Sequence, residues 1–379
     1  MAFPLTLDLF CRVVDNYGDI GVCWRLARQL AGEHGVAVRL WVDDLASFRR
    51  ICSAVDVAVE EQHLQGVTVR RWHEAMAIQG VADAVVEAFG CELPAAYLAA
   101  MAARTTAPVW INLEYLSAEH WVAGCHGLPS PHPQLRLTKY FFFPGFAAGT
   151  GGLLQETGLA ARRAAFAADP ARQAAFLASL GVHPAPGVCL VSLFCYPAAP
   201  VAALLDALRD DPRPSLMLAP ESVAAAALAG WAGRPLRQGE LVRQGSLTLQ
   251  AVPFLDQTDY DYLLWCCDLN FVRGEDSMVR AQWAQKSFVW HIYPQQEEAH
   301  RIKLDAFLAR FVDGLTPDAA NAYRAMSHAW NGDGDLRASW PAFRNALPAL
   351  QAHMPGWCER LRVHGDLAGN LLAFIKRVR

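Results

Sequence analysis

Leu5–Leu30 reads LTLDLFCRVVDNYGDIGVCWRLARQL, and its two halves follow different periods. Leu5–Val14 is a short apolar run bounded by turn residues, which predicts a strand. Val22, Leu26 and Leu30 then recur at i, i+4 and i+8, the spacing of one helix face. Between the two stands Asp15-Asn16-Tyr17-Gly18-Asp19-Ile20-Gly21. A strand turning sharply into a helix is how a parallel α/β layer begins, and the rest of the chain repeats the pattern.

Val36–Val42, Val67–Trp72, Ala82–Phe89 and Pro108–Leu113 predict further strands, mostly separated by helical stretches. Such alternation argues for a parallel sheet with helices on both faces. An Ala/Arg-rich helical stretch over 155–186 closes at His183-Pro184-Ala185-Pro186-Gly187, which reads as a domain boundary. The alternation then restarts with strands over Val188–Phe194, Ser215–Leu218, Leu247–Val252, Leu269–Val272 and Phe288–Ile292, followed by a long helical tail. Two α/β units of similar size are expected, with ligands in the cleft at the carboxyl ends of the strands.

Composition narrows the function. Of 379 residues, 53% are hydrophobic and 18% charged, enough apolar material for large cores. Lys and Arg number 33 against 37 Asp and Glu, a net charge of −4, so the positive excess of a general nucleic-acid binder is missing. No apolar run reaches the roughly 18 residues that span a bilayer. The N-terminus lacks a basic segment and Asp8 interrupts it, so no signal peptide is expected. The 10 Cys form no CxxC pair and no regular framework, which reads as reduced thiols in a cytoplasmic protein.

Three stretches carry chemistry. Asp15 and Asp19, four residues apart at a helix start, suit acid/base or substrate-orienting work, and Gly18 and Gly21 allow a tight turn and close approach by a ligand. Helix capping is the competing reading, although a cap accounts for one Asp and not for both with two glycines. In the second unit, Pro253-Phe254, Gln257 and Tyr260 follow a strand and open a helix. Asn270-Phe271-Val272-Arg273-Gly274-Glu275-Asp276-Ser277 does the same, with its helix running to Gln285. Amides at such a start suit a phosphate, and Arg273 can add a bidentate contact. The adjoining acids either hydrogen-bond sugar hydroxyls or cap the helix. Phe194 and Tyr196 end a strand, where they can stack on a nucleobase with Phe254 and Tyr260, or serve as core aromatics.

The strand Ser287–Ile292, the loop Tyr293-Pro294-Gln295-Gln296, and Glu298, His300 and Lys303 beyond it complete the layout of a two-domain nucleotide-sugar transferase. His291 and His300 lack the spacing of a zinc helix, so no metal site is expected. Tyr140–Phe146 followed by Gly149-Thr150-Gly151-Gly152 predicts a strand and a mobile loop. It is neither a Walker A loop nor GxGxxG, which disfavours phosphoryl transfer.

Asp15–Arg28 (DNYGDIGVCWRLAR), Phe141–Leu154 (FFFPGFAAGTGGLL) and Asn270–Gln295 (NFVRGEDSMVRAQWAQKSFVWHIYPQ) together closely resemble the EarP family, the bacterial protein-arginine rhamnosyltransferases. The resemblance runs the length of the chain. It implies a GT-B glycosyltransferase fold, two Rossmann-like domains facing across a cleft. Residues 1–184 would form the N-terminal acceptor domain, completed by the helix 358–379, and 185–357 the C-terminal donor domain. It implies dTDP-β-L-rhamnose as donor, one arginine of translation elongation factor P as acceptor, inversion at the anomeric carbon, no metal or other cofactor, and no nucleic-acid or membrane partner. Position by position, Asp19 matches the family's general base, Asp15 its neighbouring essential carboxylate and Glu275 a third essential acid. Phe194, Tyr196, Phe254, Gln257 and Tyr260 fall where the family surrounds thymine and ribose. Arg273, Asp276 and Ser277 fall at the diphosphate and sugar, and Tyr17, Gly18 and Gly274 join the donor-binding set.

Two rival readings stand beside this one. The first is another metal-independent GT-B transferase with a small-molecule or lipid acceptor. The second is a non-catalytic nucleotide-sugar-binding module, against which three carboxylates at two helix starts weigh.

Overall fold

The computed structural model describes residues 5–15, 17–73, 76, 78–295 and 298–379; Asn16 and Gln296, quoted above, lie outside them. The chain divides into two compact units, Met1–Thr157 with Arg360–Arg379, and Gly158–Glu359.

The first unit is built on eight strands: β1 (Thr6–Cys11), β2 (Ala37–Val42), β3 (Glu61–Leu64), β4 (Val67–Arg71), β5 (Ala84–Ala88), β6 (Val109–Leu113), β7 (Pro129–Pro131) and β8 (Thr138–Phe142). Their order is β3-β4-β2-β1-β5-β6-β8-β7. All pairings are parallel except the two edge pairs, β3 with β4 and β7 with β8. After β1 the chain builds outward through β2 and β4, then crosses to β5 on the other side of β1. That reversal is a topological switch point, and in such sheets ligands bind in the crevice there, beyond the carboxyl ends of the strands.

One face of this sheet carries an aromatic core, with Phe10 stacked on Trp41 at 5.4 Å and edge-on to Tyr97 at 4.7 Å. Asp8, read from sequence only as an interruption, is wholly buried in that layer. It accepts from Arg39 Nε at 2.5 Å, Trp41 Nε1 at 3.1 Å, the Ala82 amide at 3.2 Å and the Tyr97 hydroxyl. A buried carboxylate is tolerable when saturated this way. The helix Gly18–His34 buries Val22, Leu26 and Leu30, each contributing roughly 1.5–3 kcal/mol of burial.

Among the described residues the second unit has six strands: β9 (Cys189–Leu193), β10 (Ser215–Pro220), β11 (Leu241–Gln244), β12 (Leu247–Val252), β13 (Leu269–Arg273) and β14 (Ser287–His291). Their order is β11-β12-β10-β9-β13-β14, parallel except for the β11–β12 hairpin. The switch point lies between β9 and β13.

The boundary differs from the expected 184/185. The helices Leu159–Ala167 and Pro170–Ser179 belong to the second unit because Phe166 packs against Tyr262 at 4.9 Å and Trp265 at 5.7 Å. Gln250 Nε2 also donates to the Gly181 carbonyl at 2.8 Å. The Pro/Gly cluster at 183–187 therefore lies in a loop inside one unit, between the helix that ends at Ser179 and β9. The chain returns to the first unit within the long helix Leu336–Arg362. The last helix, Leu367–Val378, packs on the first unit: the Leu367 amide donates to the Leu153 carbonyl at 3.0 Å, and Asn370 Nδ2 to the Gly151 carbonyl at 3.0 Å.

The segment Gly149-Thr150-Gly151-Gly152, expected to be mobile, is held by this packing. A Cβ at Gly151 would meet the Phe142 ring at 2.5 Å, and one at Gly152 the Gly365 carbonyl at 2.5 Å. These glycines serve close approach. Among the described residues, no helix is long and apolar enough to cross a membrane.

Candidate active site

Both switch points hold the residues singled out from the sequence, and each is described within its own unit.

In the first unit, the loop after β1 bends back so that the Gly18 amide donates to the Asp15 carbonyl at 2.6 Å. A Cβ at position 18 would lie 2.3 Å from Asp15 Oδ2, so glycine is what lets the carboxylate sit over the helix start. Asp19, on the first turn, is 2% exposed, and Asp15 is 9%. The Val14 and Asp15 amides both donate to Asp19 Oδ2 at 2.8 Å, which fixes the carboxylate and leaves Oδ1 outside this pair of bonds. Burial raises the Asp19 pKa; the two amides pull it down, and the nearby Asp43 charge raises it further. The result is a carboxyl group that is rigid, desolvated and more basic than an ordinary aspartate. Tyr17 stands at the N-cap position, its carbonyl accepting from the Gly21 amide at 2.9 Å.

In the second unit, β9 delivers Phe194 and Tyr196, and β13 delivers Arg273. The Arg273 guanidinium lies 4.7 Å from the Phe194 ring centre and 4.5 Å from that of Tyr196. Phe254 and Tyr260 flank Phe194 at 6.1 and 5.6 Å, while Tyr293 meets Tyr196 at 5.4 Å. An aromatic wall around a clamped cation suits a base stacked beside an anionic group. Gly274 bends the chain at φ 57, and the helix Asp276–Ala284 starts there with Glu275 at its N-cap. Its amides and positive dipole end face the carboxyl edge of the sheet.

Several side chains in this cluster are committed to positioning one another. Gln257 Nε2 donates to Asp276 Oδ2 at 3.0 Å. Ser277 Oγ accepts from the Arg273 amide at 3.0 Å and donates to the Arg273 carbonyl, so its hydroxyl braces the turn. Burial, with Asp276 close by, pushes the Tyr260 phenol well up, so it stays protonated. His291 is pushed down to about 4 by burial, then by the Arg273 and His300 charges. Neutral at pH 7, its Nδ1 accepts the Tyr196 amide at 3.2 Å. His300 stands in the first turn of the helix Ala299–Phe311, its Nδ1 accepting the Gln295 amide at 3.2 Å.

Sequence reading passed over the ion pair beneath this cluster. Arg280 Nε and Nη2 hold Asp261 at 3.0 and 2.6 Å, both residues buried, locking the helix of Gln257 and Tyr260 to that of Asp276 and Ser277. The signal was a lone Arg amid the apolar face of a helix, which needs a buried acid. Asn331 was passed over too: it donates to the Trp290 carbonyl at 2.8 Å and accepts the Ile292 amide at 3.0 Å, fixing the end of β14. Among the described residues, no group of three or more His, Cys, Asp or Glu is placed to hold a metal.

Comparison with known proteins bears on this arrangement. Residues 7–376 match the family described as Elongation-Factor P (EF-P) rhamnosyltransferase EarP. The chain is 51% identical to a protein-arginine rhamnosyltransferase of Pseudomonas putida over 98% of both chains, and 50% identical to one of Pseudomonas aeruginosa over 97% of this chain and 98% of that one. It is similar to a solved structure described as the structural basis for EarP-mediated arginine glycosylation of translation elongation factor EF-P, with a TM-score of 0.71 and 38% identity, covering 98% of this chain and 99% of the other. The spinosyn rhamnosyltransferase SpnG with thymidine diphosphate aligns at a TM-score of 0.52 and 11% identity over 97% and 99% of the two chains, a likeness of GT-B fold alone.

Proposed function

The chain belongs to the EarP family of elongation factor P rhamnosyltransferases, and from that premise we propose that it moves L-rhamnose from dTDP-β-L-rhamnose to one arginine side chain of translation elongation factor P, inverting the anomeric carbon without a metal ion. The observation that carries this reading is the pair Asp15 and Asp19 at one helix start, one of them desolvated and fixed.

A guanidinium has a pKa above ~12 and spreads its nitrogen lone pairs into the π system, so it is a poor nucleophile at neutral pH. It needs one carboxylate to hold it and another to take a proton as attack proceeds. Asp19, raised by burial, is assigned as base through Oδ1, with Asp15 and Glu275 orienting the guanidinium. The Nη–C1 bond forms as the C1–O bond to the diphosphate breaks, one Nη proton passes to Asp19, and dTDP leaves. A single displacement of this kind inverts the sugar. The departing diphosphate needs preorganised positive potential, which Arg273 and the Gly274–Ser277 helix start supply. Phe194, Tyr196, Phe254 and Tyr260 would enclose thymine and ribose, with Asp276, oriented by Gln257, toward the sugar. Tyr17 and Gly18 are assigned to the donor's sugar side. A cytoplasmic site of action fits an acceptor that works in translation.

Incubation with elongation factor P and dTDP-rhamnose, followed by intact-mass spectrometry, tests the whole reading. One added deoxyhexose, formed in the presence of a strong chelator and lost in Asp19→Asn, supports it. No gain from folded protein that binds dTDP overturns the donor or acceptor assignment.

A further inference from the structure

The first unit's switch point has two sides, and only the β1 side has been given a role. The other side belongs to β5, which is followed by Phe89-Gly90-Cys91-Glu92. Phe89 and Glu92 hold positive φ values of 56 and 55, with Gly90 at 64 between them. A bulky L side chain rarely adopts this conformation, and such outliers cluster at functional sites. Here the bend aims the Phe89 ring at Tyr115 in the loop after β6. The two rings stack with centres 4.6 Å apart and planes 18° off parallel.

The pair is locked from both loops. The Phe89 amide donates to the Leu113 carbonyl at 2.7 Å and the Gly90 amide to Asn112 Oδ1 at 3.1 Å. Asn112 Nδ2 in turn donates to Glu114 Oε1. Glu114, whose own amide donates to the Phe142 carbonyl at 2.9 Å, thus has its carboxylate held by the same side chain that holds Gly90, and it directly precedes Tyr115 in the chain. Unlike Phe10 and Tyr97 in the buried layer, Phe89, Glu114 and Tyr115 are all half-buried and reach the surface. Neighbouring strands lie ~4.8 Å apart, so the ends of β5 and β6 stand roughly 5 and 10 Å along the same edge from the end of β1 that leads to Asp15 and Asp19.

We propose that Phe89, Tyr115 and Glu114 form the seat on which the acceptor's arginine-bearing loop lies before its guanidinium reaches Asp15 and Asp19; this rests on the reading of the preceding section. The chemistry selects the occupant. A guanidinium is planar and weakly hydrated, stacks on aromatic faces and pairs with carboxylates, and the three residues offer both contacts. An ammonium is a compact, strongly hydrated charge and would gain less from the same surface.

Acceptor and donor parameters measured separately decide the matter. With folded elongation factor P as acceptor, Tyr115→Ala and Phe89→Gly should each raise the acceptor KM about tenfold, while dTDP affinity by calorimetry stays unchanged. Phe89→Gly removes the ring at a φ that glycine takes freely, so its thermal midpoint should not fall and folding is not at stake. Tyr115→Phe keeps the stack and should restore the acceptor KM toward the wild-type value. Wild-type transfer with an unaltered acceptor KM in both truncations overturns the seat and leaves the reaction standing. Parallel loss of acceptor and dTDP binding marks general disruption and likewise overturns it. Wild-type protein that adds no sugar overturns the reaction and the seat together.

Discussion

The two sheets follow one plan and differ at their carboxyl edges. Each begins at a central strand, builds outward to a terminal antiparallel hairpin, then crosses over, so β3-β4-β2-β1-β5 in one unit has the same layout as β11-β12-β10-β9-β13 in the other. At the first crossing stand a desolvated carboxylate fixed by backbone amides and a half-buried aromatic pair. At the second, a guanidinium sits over two rings at a helix start. Topology supplies an address, and side chains decide what chemistry it can host.

The largest break in that contrast should come from Asp19→Asn. It keeps the two amide bonds but cannot take a proton, so kcat should fall roughly 10³-fold, about 4 kcal/mol of barrier, with dTDP affinity intact. Single-turnover mass spectrometry reads the first quantity and calorimetry the second. Next is a stability effect in the second unit. Asp261→Asn strands Arg280 in a buried site and should cost about 3 kcal/mol in urea unfolding. Replacing both residues by apolar ones should cost less than either single change.

Arg273→Lys sharpens the contrast from the donor side. A lysine cannot lie flat across Phe194 and Tyr196, so the donor KM should rise about thirtyfold, ~2 kcal/mol, with smaller change in acceptor KM. The smallest effect concerns pH. As a base Asp19 would have to be ionised, so the rate should fall as pH drops through its pKa, which burial holds above the ordinary value of about 3.9. Asp43→Asn removes a like charge, lets Asp19 ionise at lower pH, and should move the acid limb of the kcat profile down by a fraction of a unit.

Most of the fold was legible because buried parallel strands are short apolar runs. Leu247–Val252 was read at its observed limits, and the spacing of Val22, Leu26 and Leu30 marked a helix face that is buried. The edge hairpins were missed. In β3 every other side chain is exposed and polar, in β11 Leu241 and Arg243 are exposed, and their turns, Gln65-Gly66 and Gly245-Ser246, lack the Asn-Gly or Asp-Gly signature of such loops. The domain boundary differs because a Pro/Gly cluster reports only a loop, whereas what Phe166 packs against is a long-range fact. Asp15, Asp19 and Arg273 were visible as polar residues, and Gly274 as a glycine, at strand-to-helix turns. The Phe89–Tyr115 stack was not, since a φ of 56 on a phenylalanine leaves no mark in sequence.

The last helix gives the molecule an order of assembly. Gly151 and Leu153 offer carbonyls to Asn370 and Leu367, and Gln29 donates to Asp366 at 3.0 Å, yet these three partners are synthesised after the whole of Gly158–Glu359. On the ribosome the second unit is therefore complete in sequence while the first still waits for its closing segment. Domains generally fold as units during synthesis, N-terminal first. Here the unit begun first is sealed last, and Asp19, on the helix that Gln29 ties to Asp366, belongs to the unit whose closing segment is made after the residues around Arg273.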